Sequence, residues 1–379
     1  MNNPGEQDTG RQDACATTRG LSLVVKGCAT AMTPRERVIS AFRHQEPDRV
    51  PFNLRLAPAL AEKVSAFIGA KDLQAHFDYD IRFVSYVTDQ PKADFARYLG
   101  PLPEGASVSP WGNAWVKGRF LHFGRPISPM RDLAIRDLSD YPFPRLEPKV
   151  AEMQKQVERI QAAGYAAVSN YESGSYEQAC ALRGQDQFLM DLAGDPVFAE
   201  ALLSRIAEIK ARIAMGYVAA GVDVVWIGDD LGTQRSLVFS PDTWRRMIRP
   251  PLQRIVDAIR SVRKDVLIAY HSCGHVEPVA GELADVGIDV LEACQPEAND
   301  LKKLKALHGH RLAFWGTLGA QSTFSHGRAA DVRAEVRDRI ATLGHGGGLM
   351  LSPAHVLEPE VSPENVVAFV EEIKRHERE

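Results

Sequence analysis

What the chain lacks narrows it first. Across 379 residues no apolar run approaches the roughly 20 that cross a bilayer, so a transmembrane helix is not expected. Lysine and arginine form no block and the formal net charge is -4, which argues against a nucleic-acid surface or a basic amphipathic membrane helix. Cysteine is scarce: Cys15, Cys28, Cys180, Cys273 and Cys294 are an odd set of five in a long chain. The apolar piece from Leu21 to Val25 is cut by Lys26, too short for the core of a secretory signal. The cytoplasm is therefore the expected compartment, with free thiols or metal ligands rather than a disulfide framework. Phosphate-binding and dinucleotide fingerprints are absent. Gly346-Gly347-Gly348 precedes a strand and reads as a tight turn, and Ser272 lies in no nucleophile elbow. The partner expected is a small molecule or a protein.

What is present is enough apolar sequence, 45% of residues, for one large domain. Residues 1–31 are polar and aperiodic and are expected to be a disordered extension. Thr33-Pro34-Arg35-Glu36 then supplies an N-cap, a first-turn proline and a capping-box glutamate, so order is expected from Met32, itself a candidate initiator. Short strands are expected at 49–54 and 80–87, and after them a Pro-rich, irregular excursion over 90–148 anchored by Trp111 and Trp115. From residue 149 strands and helices alternate. Strands fall at 165–171, 222–227, 266–271, 290–293, 312–315 and 349–351, and helices at 149–163, 176–192, 196–220, 241–262, 277–286, 301–307, 330–343 and 363–375. Eight strands split by helices imply parallel pairing and an α/β fold, a (β/α)8 TIM barrel over 32–379, with a doubly wound open sheet as the alternative.

In such a barrel the residues at the C-terminal end of each strand share one face. That sorts Asn53 and Arg55, Glu172, Asp229 with Asp230 and Gln234, His271 with Cys273, Cys294, Thr317 and His355 to the same rim. In an extended chain residues i and i+2 point the same way, so His271 and Cys273 present an imidazole nitrogen and a thiol to one point. Two soft ligands are half a zinc site. Cys294 and His355 are the candidates for the other half; the alternatives are an inert buried cysteine and a pocket histidine. Cys180, inside a helix among alanines and leucines, reads as core.

From about Met32 onward the chain resembles the uroporphyrinogen decarboxylase superfamily. The resemblance is carried by T-P-R-E-R-V at Thr33, D-R-V-P-F at Asp48, W-I-G-D-D-L-G-T-Q at Trp226, H-S-C-G at His271 and S-P-A-H-V-L-E-P-E-V-S-P-E-N-V at Ser352. It implies either decarboxylation or, in the corrinoid-dependent methyltransferase branch, methyl transfer at a zinc ion. The decarboxylase branch carries an arginine-rich stretch after the first strand, where this chain has Asn53-Leu54-Arg55-Leu56-Ala57-Pro58 with a single arginine. Its pyrrole-binding aspartate falls near Val87, with Asp89 two residues on. The methyltransferase branch implies Zn2+ held by His271, Cys273, Cys294 and His355, with a methylated corrinoid or pterin carrier as co-substrate. Asp230 is then the catalytic residue, and Asn53, Arg55, Glu172 and Gln234 line the substrate pocket. The resemblance also admits a corrinoid protein or a homodimer as partner. The rivals are a metal-free lyase using Asp230 and His355 as acid and base with Arg55 as carboxylate clamp, and a non-catalytic tetrapyrrole-binding protein.

Overall fold

Strands buried on both faces lose the polar-apolar alternation of an edge sheet, and the apolar runs of the second half of this chain behave that way. In a computed structural model, which describes residues 31–89, 93–116 and 126–376, they pair in parallel. We number the barrel positions β1, a short segment at Phe52; β2, Ile81–Val84; β3, Ala166–Ser169; β4, Val224–Gly228; β5, Leu267–His271; β6, Val290–Ala293; β7, Ala313–Leu318; and β8, Leu349–Pro353. β2 to β8 are neighbours in chain order. β1 closes the ring. Phe52 pairs in parallel with Leu351 of β8, with Asn53 N donating to Leu351 O at 3.1 Å. On its other side Asp80 N donates to Phe52 O at 3.0 Å, beside the start of β2. The expected (β/α)8 barrel is the observed architecture.

The barrel interior is a packed column rather than a pore. Ile81, Val168, Trp226, Ala269, Val290, Trp315 and Met350 form one buried cluster, joined by Val38 and Phe42 from the helix Pro34–Phe42. Trp226 and Trp315 fill its centre, their ring centroids 4.9 Å apart. Near the start of β2 lies Asp80, fully buried, paired with Arg37 at 2.6 Å and Arg49 at 2.8 Å and accepting from Phe52 N at 2.8 Å. These four residues tie the first helix to β1 and β2.

The remaining expectations fare unevenly. Of the extension expected over residues 1–31, residues 1–30 lie outside the described residues; the described residues from Met32 onward form one compact unit. The excursion after β2 is not wholly irregular: Ala106–Val108, Ala114–Val116 and Pro126–Ile127 form a small antiparallel sheet. Trp111 is 7% exposed and anchors it, whereas Trp115 is 40% exposed and does not. The helix expected over 176–192 is two, Ser175–Arg183 and Gln185–Gly194, because Gly184 sits at φ +87°, where a helix cannot continue. Cys180 is only half-buried. Among the described residues no helix is long and apolar enough to cross a membrane.

Removing one partner of a buried ion pair leaves uncompensated charge and costs about 3–5 kcal/mol. Asp80→Ala strands two buried guanidinium groups and should lower stability by about that amount in urea titrations. An unshifted midpoint would show that Asp80 does not hold the first helix to the barrel.

Candidate functional site

β5 ends at His271, whose ring points inward over the tryptophan column, 5.2 Å from Tyr171 and 6.3 Å from Trp226 between centroids. Its Nδ1 meets a carboxylate oxygen of Glu292 in β6 in a short hydrogen bond. Its Nε2 lies 3.3 Å from Asp230 Oδ1 and 3.5 Å from Cys273 Sγ. The amide of Cys273 donates to the same Asp230 oxygen at 2.8 Å, fixing the turn at the end of the strand. One carboxylate oxygen, one imidazole nitrogen and one thiol sulfur thus lie within 4.8 Å of one another.

Their charges are interdependent. Burial works against the His271 imidazolium, but the Glu292 carboxylate and bonds to Asp230, Cys273 and Glu292 outweigh it and lift its pKa well above the histidine range. Burial pulls Asp230 up, yet the contact with His271 and the amide of Cys273 bring it down to about 2. Burial raises the Cys273 thiol, and His271 offsets part of that rise. Beneath them lie two more carboxyl groups, Asp229 buried and Glu177 at the wall of a cavity. Asp229 accepts from Glu177 N at 2.7 Å, and Tyr171 donates to Glu177 at 2.5 Å. Burial raises both, Glu177 further through Asp230 and Asp229 further through Glu177.

The structure brings together His271, Cys273 and Asp230. The last of these, expected as the catalytic residue, stands where a ligand would. Cys294 is not with them. Alternation along β6 would aim it inward with Glu292, but its backbone turns left-handed at φ +47° and the thiol donates outward to Leu291 O at 3.1 Å. Burial raises that thiol's pKa well above its ordinary value. His355 is exposed, with Nδ1 3.2 Å from Val356 O, and belongs to no three-residue metal-ligand group among the described residues. It does line a narrow crevice with Arg55, His271 and Glu292. Asn53 Oδ1 accepts from Trp315 Nε1 at 2.8 Å, and the Arg55 guanidinium lies over Trp226 at 4.8 Å. Glu172 faces Lys210 at 3.4 Å, to the side of the cluster, and Gln234 is exposed, donating to Gln321 at 2.6 Å.

Glu292 is the residue sequence reasoning missed. Its signal was a lone charge inside the apolar run Val290-Leu291-Glu292-Ala293, on the same face as Val290. Glu177 and Tyr171 were missed as well; nothing in their neighbours marks them. Two cavities flank the cluster. One, of about 660 Å³, is lined by Gln234, Cys273, Gln295, Gln321, His326 and His355. The other, of about 520 Å³, reaches Asp230 from beneath the small antiparallel sheet.

The donor set fits a divalent metal such as zinc. Nitrogen, sulfur and oxygen ligands converge, a carboxylate orients the histidine through its other ring nitrogen, and Cys273 and Asp230 each open onto a cavity, leaving room for a fourth ligand.

With fold and site described, the chain belongs to the uroporphyrinogen decarboxylase (URO-D) family, whose profile matches residues 123–376. The superfamily is one of enzymes. The chain is 26% identical over 183 residues to the uroporphyrinogen decarboxylase of Methylococcus capsulatus, 47% of this chain and 49% of that one. To that of Chromohalobacter salexigens it is 27% identical over 184 residues, 47% and 48% of the two chains. It thus spans about half the length of the curated relatives it matches. A methyltransferase from Methanosarcina mazei shares the fold, with a TM-score of 0.60 at 20% identity over 91% of this chain and 99% of that one.

The raised His271 pKa carries a sign. Its contribution to stability is complete below the unfolded value of about 6.5 and is lost as pH rises through the folded value. Metal-free protein should therefore lose stability on going from neutral to alkaline pH. Glu292→Gln, which removes the charge behind the shift, should flatten that slope in thermal melts. An identical slope in the variant would detach His271 from the effect.

Proposed function

We propose that the chain is a zinc-dependent methyltransferase moving a methyl group between a corrinoid or pterin carrier and a small-molecule acceptor. The observation that carries this reading is the meeting of Asp230, His271 and Cys273 donor atoms within 4.8 Å, with His271 oriented by Glu292. Zinc bound there would lower the pKa of a coordinated thiol or other acceptor and hold its anion at neutral pH. The chain's own groups do the rest. Asp230, held anionic, supplies an oxygen ligand and is a poor proton donor. Glu292 keeps Nε2 of His271 turned toward Cys273. Arg55 and Asn53, fixed on Trp226 and Trp315, line the crevice above the histidine and orient whatever enters it. Gln234 and His355 line the cavity onto which Cys273 opens, where a carrier or a corrinoid protein would approach. Glu172 acts at a remove, through Lys210.

A metal-free lyase acting on a carboxylated substrate is the second reading. It is favoured by the names of the curated relatives and by the nearness of His355 to Arg55. Against it stands the supply of positive charge. Arg37 and Arg49 are tied to Asp80, and Asp89 is paired with Lys149 at 2.6 Å, so among the described residues Arg55 is the arginine in the crevice that would meet a macrocycle bearing many carboxylates.

Metal analysis of the purified protein decides between the two. Stoichiometric zinc is expected, lost together with methyl transfer in Cys273→Ser and retained in Cys294→Ser. Full metal content and normal transfer in Cys273→Ser would sink the proposal, and carbon dioxide released from uroporphyrinogen would establish the lyase.

A further inference from the structure

The left-handed turn at Cys294 that carries its thiol away from the site brings the next side chain back toward it. Gln295 is 6% exposed, and its Oε1 accepts from Gly274 N at 3.1 Å, one residue past Cys273. Asn299 completes the hold, donating from Nδ2 to Gly274 O at 2.9 Å and to Gln295 O at 3.1 Å. Gly274 has no side chain of its own to fix it. It sits at φ +78°, where an added Cβ would fall 2.3 Å from Gly232 O, so the turn beyond Cys273 is held by its neighbours.

The bond to Gly274 also fixes which way the amide faces. Only the carbonyl oxygen of a glutamine accepts from an N–H, so Oε1 must meet Gly274 and Nε2 must point elsewhere. Nε2 has no hydrogen-bond partner among the described residues, and unlike the sealed amide nitrogen of Gln178 it keeps accessible surface. Gln295 lines the cavity of about 660 Å³, whose wall it shares with Cys273 and Gly274. A compound that displaces water from that wall strands the donor unless it brings an acceptor of its own. The charge around the cavity narrows the acceptor further. Its described lining holds no lysine or arginine, whereas Glu358 and Glu360 place carboxyl groups there. An anion would enter without a fixed counter-charge; a carbonyl oxygen accepts the same hydrogen bond without needing one.

We propose that Gln295 is a specificity-determining residue whose Nε2 donates to an uncharged carbonyl or amide oxygen of a small compound bound in this cavity. The other end of the compound reaches the wall at Cys273. That the compound is the methyl acceptor rests on the reading of Asp230, His271 and Cys273 as the reaction centre; the contact with Gln295 does not.

Three thiols of like size test this: β-mercaptopropionamide, β-mercaptopropionate and n-butanethiol, which bring a neutral acceptor, an anion and no acceptor. Titrated into the full chain by calorimetry, the amide should bind about tenfold more tightly than either of the others. Gln295→Glu keeps an acceptor for Gly274 N and replaces the free donor with an oxygen, while Gln295→Met removes both. Each should weaken the amide about five- to tenfold and leave butanethiol unchanged, and Gln295→Glu should keep the thermal melt and metal content of the parent. A glutamine that only braces Gly274 would behave otherwise, with Gln295→Met melting lower and Gln295→Glu binding the amide as the parent does; that pattern would overturn the proposal. So would a preference for mercaptopropionate, or no binding of any probe at millimolar concentration. Metal analysis of the same samples separates the two readings. A Gln295-dependent preference for the amide in a protein without metal would end the transferase reading and leave this contact standing, while stoichiometric metal without that preference would do the reverse.

Discussion

The ring closes at Phe52, which pairs with Leu351 on one side and meets Asp80 on the other, and the arrangement of groups around the mouth depends on that closure. An open sheet would spread the ends of its strands along a line. Asp230, His271 and Glu292 come from adjacent strands and meet through pairing alone, but only a closed sheet gathers the ends on a circle and sets Asn53, Arg55 and His355 around the same crevice as His271 and Glu292. Asp80 secures the closure by receiving the amide of Phe52 and the charges of Arg37 and Arg49 together. Immediately beyond the closing pair the chain delivers Asn53 onto Trp315 and Arg55 onto Trp226, so the first strand serves both the barrel's integrity and its mouth.

At the mouth the decisive quantity is charge. His271 is held between Glu292 and Asp230, and in metal-free protein its proton offsets part of that negative charge. The raised pKa values of His271 and Cys273 describe a place where positive charge is favoured and a bare thiolate is not. A divalent cation meets both conditions, since it supplies the positive charge and takes the thiol as thiolate. Asp229 and Glu177 underneath share the site's negative charge, and burial lifts the pKa of each.

Much of this was legible from residue order. Apolar runs broken by helices established the strand count, and the His271–Cys273 spacing at the end of β5 brought two donor atoms together, because the chain stays directed by the bond from Cys273 N to Asp230 for two residues past the strand. The i and i+2 rule misassigned Cys294. Alternation fails once the backbone leaves the extended region, and a residue at φ +47° cannot be foreseen from Glu292-Ala293-Cys294-Gln295. Glu292 escaped for the complementary reason: a carboxylate inside a strand reads as an interruption until a buried imidazole is known to face it. Within the excursion after β2, Pro-rich composition concealed three strands of two or three residues each, too short for any periodicity to register.

That excursion is where this chain departs from a bare barrel. The strands set what the rim is able to do, since their ends bring ligand atoms and charges to fixed positions on a rigid frame. They do not set what reaches it. Trp111 and Trp115 belong to a small antiparallel sheet outside the barrel, and the helix Ser175–Arg183 is held in its first turn by Asp229. The two layers are physically separate, donor atoms on the strand ends and a cavity wall on the outer sheet and helix, and a fold shared at 20% identity over nearly the whole chain reflects the frame of strands.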